Sequence, residues 1–513
     1  MKGRTFTQSM SWLHTWCGLL LGWVLFAIFL TGTLAVFDKE LNGWMQPELP
    51  SRAVDPSLAA NTAQQWLQAR HPEAQAWNIG LPTERTPTLT VAAGEQRRGG
   101  GTPIDPVSGE TLEPRQTVGG NFFFRFHFTL HMPRTLGVWL VGFAAMAMLV
   151  ALISGIVIHK KLFKEFFTFR PAKGQRSWLD GHNASAVLLL PFHLMITYTG
   201  LVIFFLIYMP AALQALYDGD RNAMLREAGG SPQRIEAGAR GERPAASRAA
   251  PATLLPLADF VAKGEAHYGP GMLAGLQVSH PGRADARVTV RPMLGSRIEL
   301  TKGEALVFDG VSGALLQSPA ASRASHLTQR VMAGLHFAQF GGYPMRWLYF
   351  LCGLASCAMI ATGLVLYTVK QRKQAKGSRR FLEIVERLNV MTVAGLGLAC
   401  IALLWANRLL PADMVGRSGW ETRVFFAVGL ASLLHAALRP PLKAWREQLF
   451  TAALLCAGLP LLDFATTGEL DGRRLGVDLA AVVIGALLAW VGWKTVSRAP
   501  AAQRRPRCAG ALT

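Results

Sequence analysis

Histidine is the residue type with the most chemistry to offer in this chain, and the histidines are unevenly placed. Seven of the twelve sit in or beside long apolar runs: His14, His127, His131, His159, His182, His193 and His336. A polar, metal-capable imidazole is costly at such depth unless something uses it. In "NFFFRFHFTLHMPRTLGVWLVG" the spacing of His127 and His131 predicts two rings on one helical face, a turn apart. His71, His267, His280 and His326 lie in polar stretches with no ligand-like pattern and read as surface or turn residues. His435 reads as an interfacial side chain, as does His159 beside Lys160 and Lys161.

An internal repeat sorts the rest. "SWLHTWCGLLLGWVLFAIFLTG" starts at Ser11 and "SWLDGHNASAVLLLPFHLMITYTG" at Ser177, and the spacing from His14 to Thr31-Gly32 equals that from His182 to Thr199-Gly200. "FHFTLHMPRTLGVWLVG" matches "LHFAQFGGYPMRWLYFLCG", which pairs His127 with His336 and Ser154-Gly155 with Thr362-Gly363. The equivalent histidines then face each other across a bundle, His14 with His182 at one end and His127 with His336 at the other.

Two facing imidazoles are what a b-type haem needs: iron takes one nitrogen from each side and porphyrin fills the apolar gap. From His14 to Gly32 is about 27 Å of helix, so the pairs predict two b-type haems, one near each membrane face. His193, about 15 Å into its span, is an alternate to His182, and His131 an alternate to His127. Zinc or copper is the competing metal, since His-x-x-x-His on a helix binds either. A two-histidine, Gly-lined span pattern at both faces favours haem, and a single methionine, Met132, adds little for copper.

The elements that must position these residues are membrane helices. Half of the 513 residues are hydrophobic. A span needs about 20 apolar residues, and eight runs qualify, near 12–37, 135–158, 183–209, 345–369, 388–410, 424–438, 449–464 and 477–496, the sixth and seventh being short. The net charge of +20 would suggest nucleic acid in a soluble protein. Here the basic residues flank apolar runs, in 159–181, 370–387 and the tail, and mark the cytoplasmic side. Both termini are then cytoplasmic, the first run is an uncleaved anchor, and no nucleic-acid partner is expected. None of the six cysteines falls in the external segments, and there is no C-x-x-C-H for covalent haem.

The resulting organisation is a first transmembrane helix (1–37), an external α+β segment (38–120), two helices (121–209) around the loop 159–181, a second external segment (210–343), a fourth helix (344–370), and about four further spans (388–496). "IDPVSGETL" and "FDGVSGALL" each predict strand, Gly turn, strand; "AQQWLQARH" and "LADFVAKGEAHY" predict the helices before them. Residues 218–252 are rich in Gly, Ala, Arg and Pro and read as a flexible excursion. No nucleotide-binding fingerprint occurs, and the cytoplasmic loops are too short for a flavin or nicotinamide domain. Electrons must therefore come from a cytoplasmic partner, a small reductant or membrane quinol.

"WLHTWCGLLLG", "FHFTLH", "IDPVSGETL", "WLDGHNASAVLLLPFHLMITYTGL" and "LHFAQFGGYPMRWLYFLCGLASCAMIATGLVLY", in that order over residues 8–370, resemble the PepSY-associated transmembrane family. The resemblance implies a mostly α membrane protein: a four-helix haem-binding bundle from a duplicated unit, with two external PepSY-like inserts. It also implies a bacterial inner-membrane location and similarity to iron-regulated di-haem ferric-siderophore reductases, with His14, His127, His182 and His336 as ligands. The implied reaction is reduction of ferric iron held by a siderophore or other chelate on the external side, releasing Fe(II). Arg125, Arg134 and Arg346 stand near the outer mouth, for an anionic chelate or for lipid headgroups. The alternatives are a cytochrome b carrier for another acceptor, and a non-enzymatic membrane sensor or assembly factor. Residues 388–496 lie outside the resemblance, and their role is open.

Overall fold

The computed structural model describes residues 5–52, 54–94, 101–159, 174–220, 223–224, 249–319, 322–374, 378–469 and 471–497. Most of loop 159–181, of the excursion 218–252 and the basic tail fall outside these. The chain divides into two units, Met1–Tyr367 and Thr368–Thr513.

In the first unit, α1 (Phe6–Ala35) opens with a capping box in which Thr5 and Gln8 satisfy each other's backbone N–H. It leads through α2 (Asp38–Met45) to α3 (Pro56–Arg70) and to strands β1 (Ala76–Gly80), β2 (Leu89–Ala93) and β3 (Thr102–Ile104). The short α4 (Asn121–Thr129) precedes the long α5 (Arg134–Ile158). Then come α6 (Gln175–Leu188), α7 (Leu190–Ile203), and the short α8 (Phe205–Tyr208) and α9 (Pro210–Tyr217). The second copy continues with α10 (Leu257–Tyr268), β4 (Leu273–Ser279), β5 (Arg287–Pro292), β6 (Leu306–Asp309), β7 (Leu315–Gln317), α11 (Ala324–Phe337) and α12 (Gly342–Gln374). The protein is a multi-pass membrane protein: among the described residues seven helical segments are long and apolar enough to span, and α6 and α7 together, bent by 65°, are an apolar pair that makes either a broken eighth span or a re-entrant loop. Pro191, in the first turn of α7, lacks a backbone donor and crowds the preceding turn, which accounts for the break.

The two inserts do not form two separate domains. Their strands make one antiparallel sheet in the order β3-β2-β1-β4-β5-β6-β7, joined where Trp77 opposes Val278 and Ile79 opposes Leu276. One core serves both copies: Ala63 and Leu67 of α3 and Phe260 and Val261 of α10 pack with Ile79, Val91, Leu276 and Val290 of the sheet. Local patterns in the two inserts show how each hairpin forms, whereas the β1–β4 joint depends on pairing between segments far apart in the chain. In both copies the expected Gly turn is built on an aspartate. Asp105 Oδ1 accepts from the Val107 and Ser108 amides, and Asp309 Oδ1 from those of Val311 and Ser312. The amide of Ser312 is the main reason the Asp309 carboxyl titrates below its usual range.

An ion cluster ties the β1–β2 connection to the end of α1. Arg85 donates to both carboxylate oxygens of Glu40 at 2.7 Å, to Asp38 Oδ1 at 3.3 Å and to the Val36 carbonyl at 3.2 Å. Both Arg85 and Glu40 are buried, so losing either partner would strand the other's charge away from water.

The second unit contains four spans. The first is α13 (Arg379–Val390), a π-helical turn (Met391–Gly395) and α14 (Leu396–Leu409); then come α15 (Arg417–Leu438), α16 (Pro441–Ala457) with α17 (Leu459–Thr467), and α18 (Gly472–Ser497). The sixth and seventh spans are thus longer than their apolar runs suggest. Their ends carry buried ion pairs: Asp463 bridges Arg408 and Arg474, and Arg417 pairs with Glu421, which also accepts from Asn407.

Candidate functional site

Four helices of the first unit bring the repeat-related histidines together in pairs. His14 on α1 and His182 on α6 have ring centres 6.2 Å apart. His127 on α4 and His336 on α11 have theirs 6.0 Å apart. Two metal–nitrogen bonds of about 2 Å, plus the half-widths of two five-membered rings, put the centres of imidazoles on opposite sides of one ion roughly 6 Å apart.

Each ring is held by its Nδ1. His14 donates to the Ala151 carbonyl at 2.8 Å, His127 to Ile28 at 2.8 Å, His182 to Met359 at 2.8 Å and His336 to Ile196 at 3.0 Å. A carbonyl acceptor requires the proton on Nδ1, which leaves the Nε2 lone pair for a ligand. None of the four residues is fully buried. Every one of these bonds joins two helices of the same copy, so each copy braces its own pair of rings.

Among the described residues no group of three or more His, Cys, Asp or Glu side chains converges on a metal-sized site. A two-nitrogen donor set is too small for a structural zinc, which takes four protein ligands. It suits an iron whose remaining four positions are supplied by a porphyrin. The residues present therefore fit a b-type haem at each level.

The two alternates are placed elsewhere. His131 does not share a helical face with His127, because α4 ends at Thr129 and both Leu130 and His131 adopt left-handed backbone, with φ of 50° and 58°. The His131 ring is exposed beside Phe122, and partial burial with the nearby Arg125 charge lowers its pKa. His193 on α7 is completely buried, its Nε2 2.9 Å from Ser356 Oγ on α12. Of the arginines, Arg125 and Arg134 are exposed. Arg346 is buried, reaching the Val36 carbonyl and the Gln339 side chain. It acts as a strut inside the protein and does not stand on an open mouth. His435, far along the chain, pairs with Glu447.

The profile of the family described as "PepSY-associated TM region" matches residues 11–370, a span that holds all four paired histidines and the sheet. The chain belongs to the PepSY-associated transmembrane family. It is also similar to an uncharacterized protein of Pseudomonas aeruginosa, 27% identical over 391 residues, covering 72% of this chain and 93% of that protein. In this PepSY-associated protein the matched span ends near the boundary between the two units, so the C-terminal four-span unit lies beyond it.

Repeat spacing in the sequence is enough to single out the four paired rings. It does not reveal the acceptor carbonyls, although each lies four residues before a glycine that the repeat marks.

Proposed function

We propose that this protein is a di-haem b electron-transfer protein of a bacterial inner membrane that reduces ferric iron held by a siderophore, or by another chelate, on the side of the sheet. The observation that carries the reading is the twin pairing of imidazoles at a separation suited to a shared iron, each with Nδ1 tied to a carbonyl. His14 and His182 would hold one haem, His127 and His336 the other. Each haem, when bound, supplies a one-electron centre in an otherwise insulating layer. The protein's own residues orient the four imidazoles, each through its Nδ1–H bond to a helix carbonyl. Ferric iron binds hard oxygen donors tightly and ferrous iron less so, and a single electron is therefore enough to loosen the chelate. Arg125 and Arg134, exposed at the sheet end, suit an anionic chelate or lipid headgroups. Positive-inside asymmetry supports cytoplasmic termini, and the electron donor is a cytoplasmic partner or membrane quinol.

The family match by itself supports a plainer reading, a PepSY membrane protein acting as a carrier for another acceptor or as a sensor or assembly factor without redox chemistry. Purified protein separates these. A dithionite-reduced b-type α-band with about two haems per chain, and ferric-chelate reduction lost in His127→Ala, support the reductase. Haem without chelate reduction supports the carrier, and a colourless, folded protein given ample haem supports the sensor.

A further inference from the structure

The four histidines share a cradle that the ligand reading does not explain. Each acceptor carbonyl belongs to residue X of a helix; residue X+3 is Ser or Thr, and residue X+4 is Gly. The sets are Ile28/Thr31/Gly32, Ala151/Ser154/Gly155, Ile196/Thr199/Gly200 and Met359/Thr362/Gly363. In every set the X+3 hydroxyl lies 2.9–3.3 Å from the same carbonyl as the imidazole, and in the three threonine sets it lies closer still, at 2.7–2.8 Å, to the carbonyl one residue earlier. Two hydroxyls also lie near the ring nitrogen itself, Ser154 at 3.3 Å from His14 Nδ1 and Thr199 at 3.2 Å from His336 Nδ1.

The glycines are there because the rings lie against them. A Cβ added at Gly32 would come within 2.6 Å of His127 Nδ1, at Gly200 within 2.9 Å of His336 Cε1, at Gly363 within 3.0 Å of His182 Cε1, and at Gly155 within 3.3 Å of His14 Cε1. In a helix the side chain at X+4 flanks the carbonyl of X, so glycine opens a lateral approach to that oxygen. The cradle thus sets both the hydrogen bond and the rotation of each imidazole plane. The two levels are set differently: the His14 and His182 planes cross at 69°, those of His127 and His336 at 35°.

Resting on the di-haem reading, we propose that the four Ser/Thr-Gly dipeptides are positioning residues that make the two iron sites spectroscopically distinct, the His14/His182 level with crossed imidazoles and the His127/His336 level with more nearly aligned ones. In ferric low-spin haem, aligned axial rings split the two iron orbitals that point toward them and give a rhombic paramagnetic spectrum. Crossed rings leave those orbitals close in energy and give a strongly anisotropic low-field signal.

The test is electron paramagnetic resonance of oxidised, full-length protein in detergent, with optical haem content measured alongside. Wild type is expected to show one anisotropic and one rhombic signal of equal weight. Gly155→Ala or Gly363→Ala should shift or abolish the anisotropic signal alone, and Gly32→Ala or Gly200→Ala the rhombic one alone. Ser154→Ala and Thr199→Val add no bulk and should give smaller shifts confined to the same sites, which keeps the test decisive if a glycine variant does not fold. Two like signals in wild type, or dipeptide variants with an unchanged spectrum and full haem content, overturn the inference and leave the di-haem reading standing. A wild type that binds no haem overturns that reading itself.

Discussion

His193 Nε2 lies 2.9 Å from Ser356 Oγ, so a fully buried mid-span imidazole is engaged by a hydroxyl of the neighbouring helix. That hydroxyl in turn donates to the Cys352 carbonyl at 2.7 Å. Replacing His193 by Leu is therefore expected to leave the haem complement intact while costing about 1–2 kcal/mol of stability through lost hydrogen bonding. Haem content per chain and a detergent melting curve check this together. A variant that folds but has lost one haem would return His193 to the ligand set.

Histidines of one level should behave as a unit. His127→Ala and His336→Ala are each expected to remove the same haem, with the double variant losing no more than either single one. His14→Ala and His182→Ala should remove the other haem, and their double variant again no more. Optical spectra of the six preparations decide it, and partial loss from both levels in one single variant would sink the pairing.

The Arg85–Glu40 pair joins the β1–β2 connection to α2. Breaking a buried pair by removing one partner costs about 3 kcal/mol, and Arg85→Met should lower the melting temperature accordingly. Burial pushes the Glu40 carboxyl up, but the Arg85 hydrogen bond and charge pull it down further, so it titrates below its ordinary value of 4.5. A carboxylate depressed in the folded state contributes stability above its unfolded pKa, and that contribution disappears as pH falls through the folded value. Wild type should thus lose stability on acidification below about pH 4.5 in a component that Arg85→Met lacks. Parallel acid dependence in the two proteins would count against the pair.

Asp463 is shared by Arg408 and Arg474 in the second unit. Asp463→Ala takes the common carboxylate from two buried guanidinium groups, at a cost of about 3–5 kcal/mol. The expected result is an earlier melting step for the C-terminal spans with the haem spectrum of the surviving fold unchanged.

How far the sequence can be read follows from the range of each interaction. Span positions are legible from apolar run length, and Pro191 is a visible sign of the bend between α6 and α7. The four paired histidines are legible because duplication repeats their distance to Thr31-Gly32 and its counterparts. The end of α4 at Thr129 is not, since a left-handed turn at Leu130 and His131 has no glycine to announce it. Arg346 looks like a mouth residue because its neighbours in sequence are at a span end; only the fold reveals that Val36 and Gln339 enclose it. The single sheet is hidden for the same reason, as the β1–β4 register joins segments that are distant along the chain.

That register has a consequence for how the molecule is made. When translation has produced only the first copy, β1 presents a bare row of amides and carbonyls, an invitation to any passing strand. The ribosome must complete a further stretch containing two more membrane passages before β4 arrives to cover it. Nascent chains stalled in that interval would be adhesive.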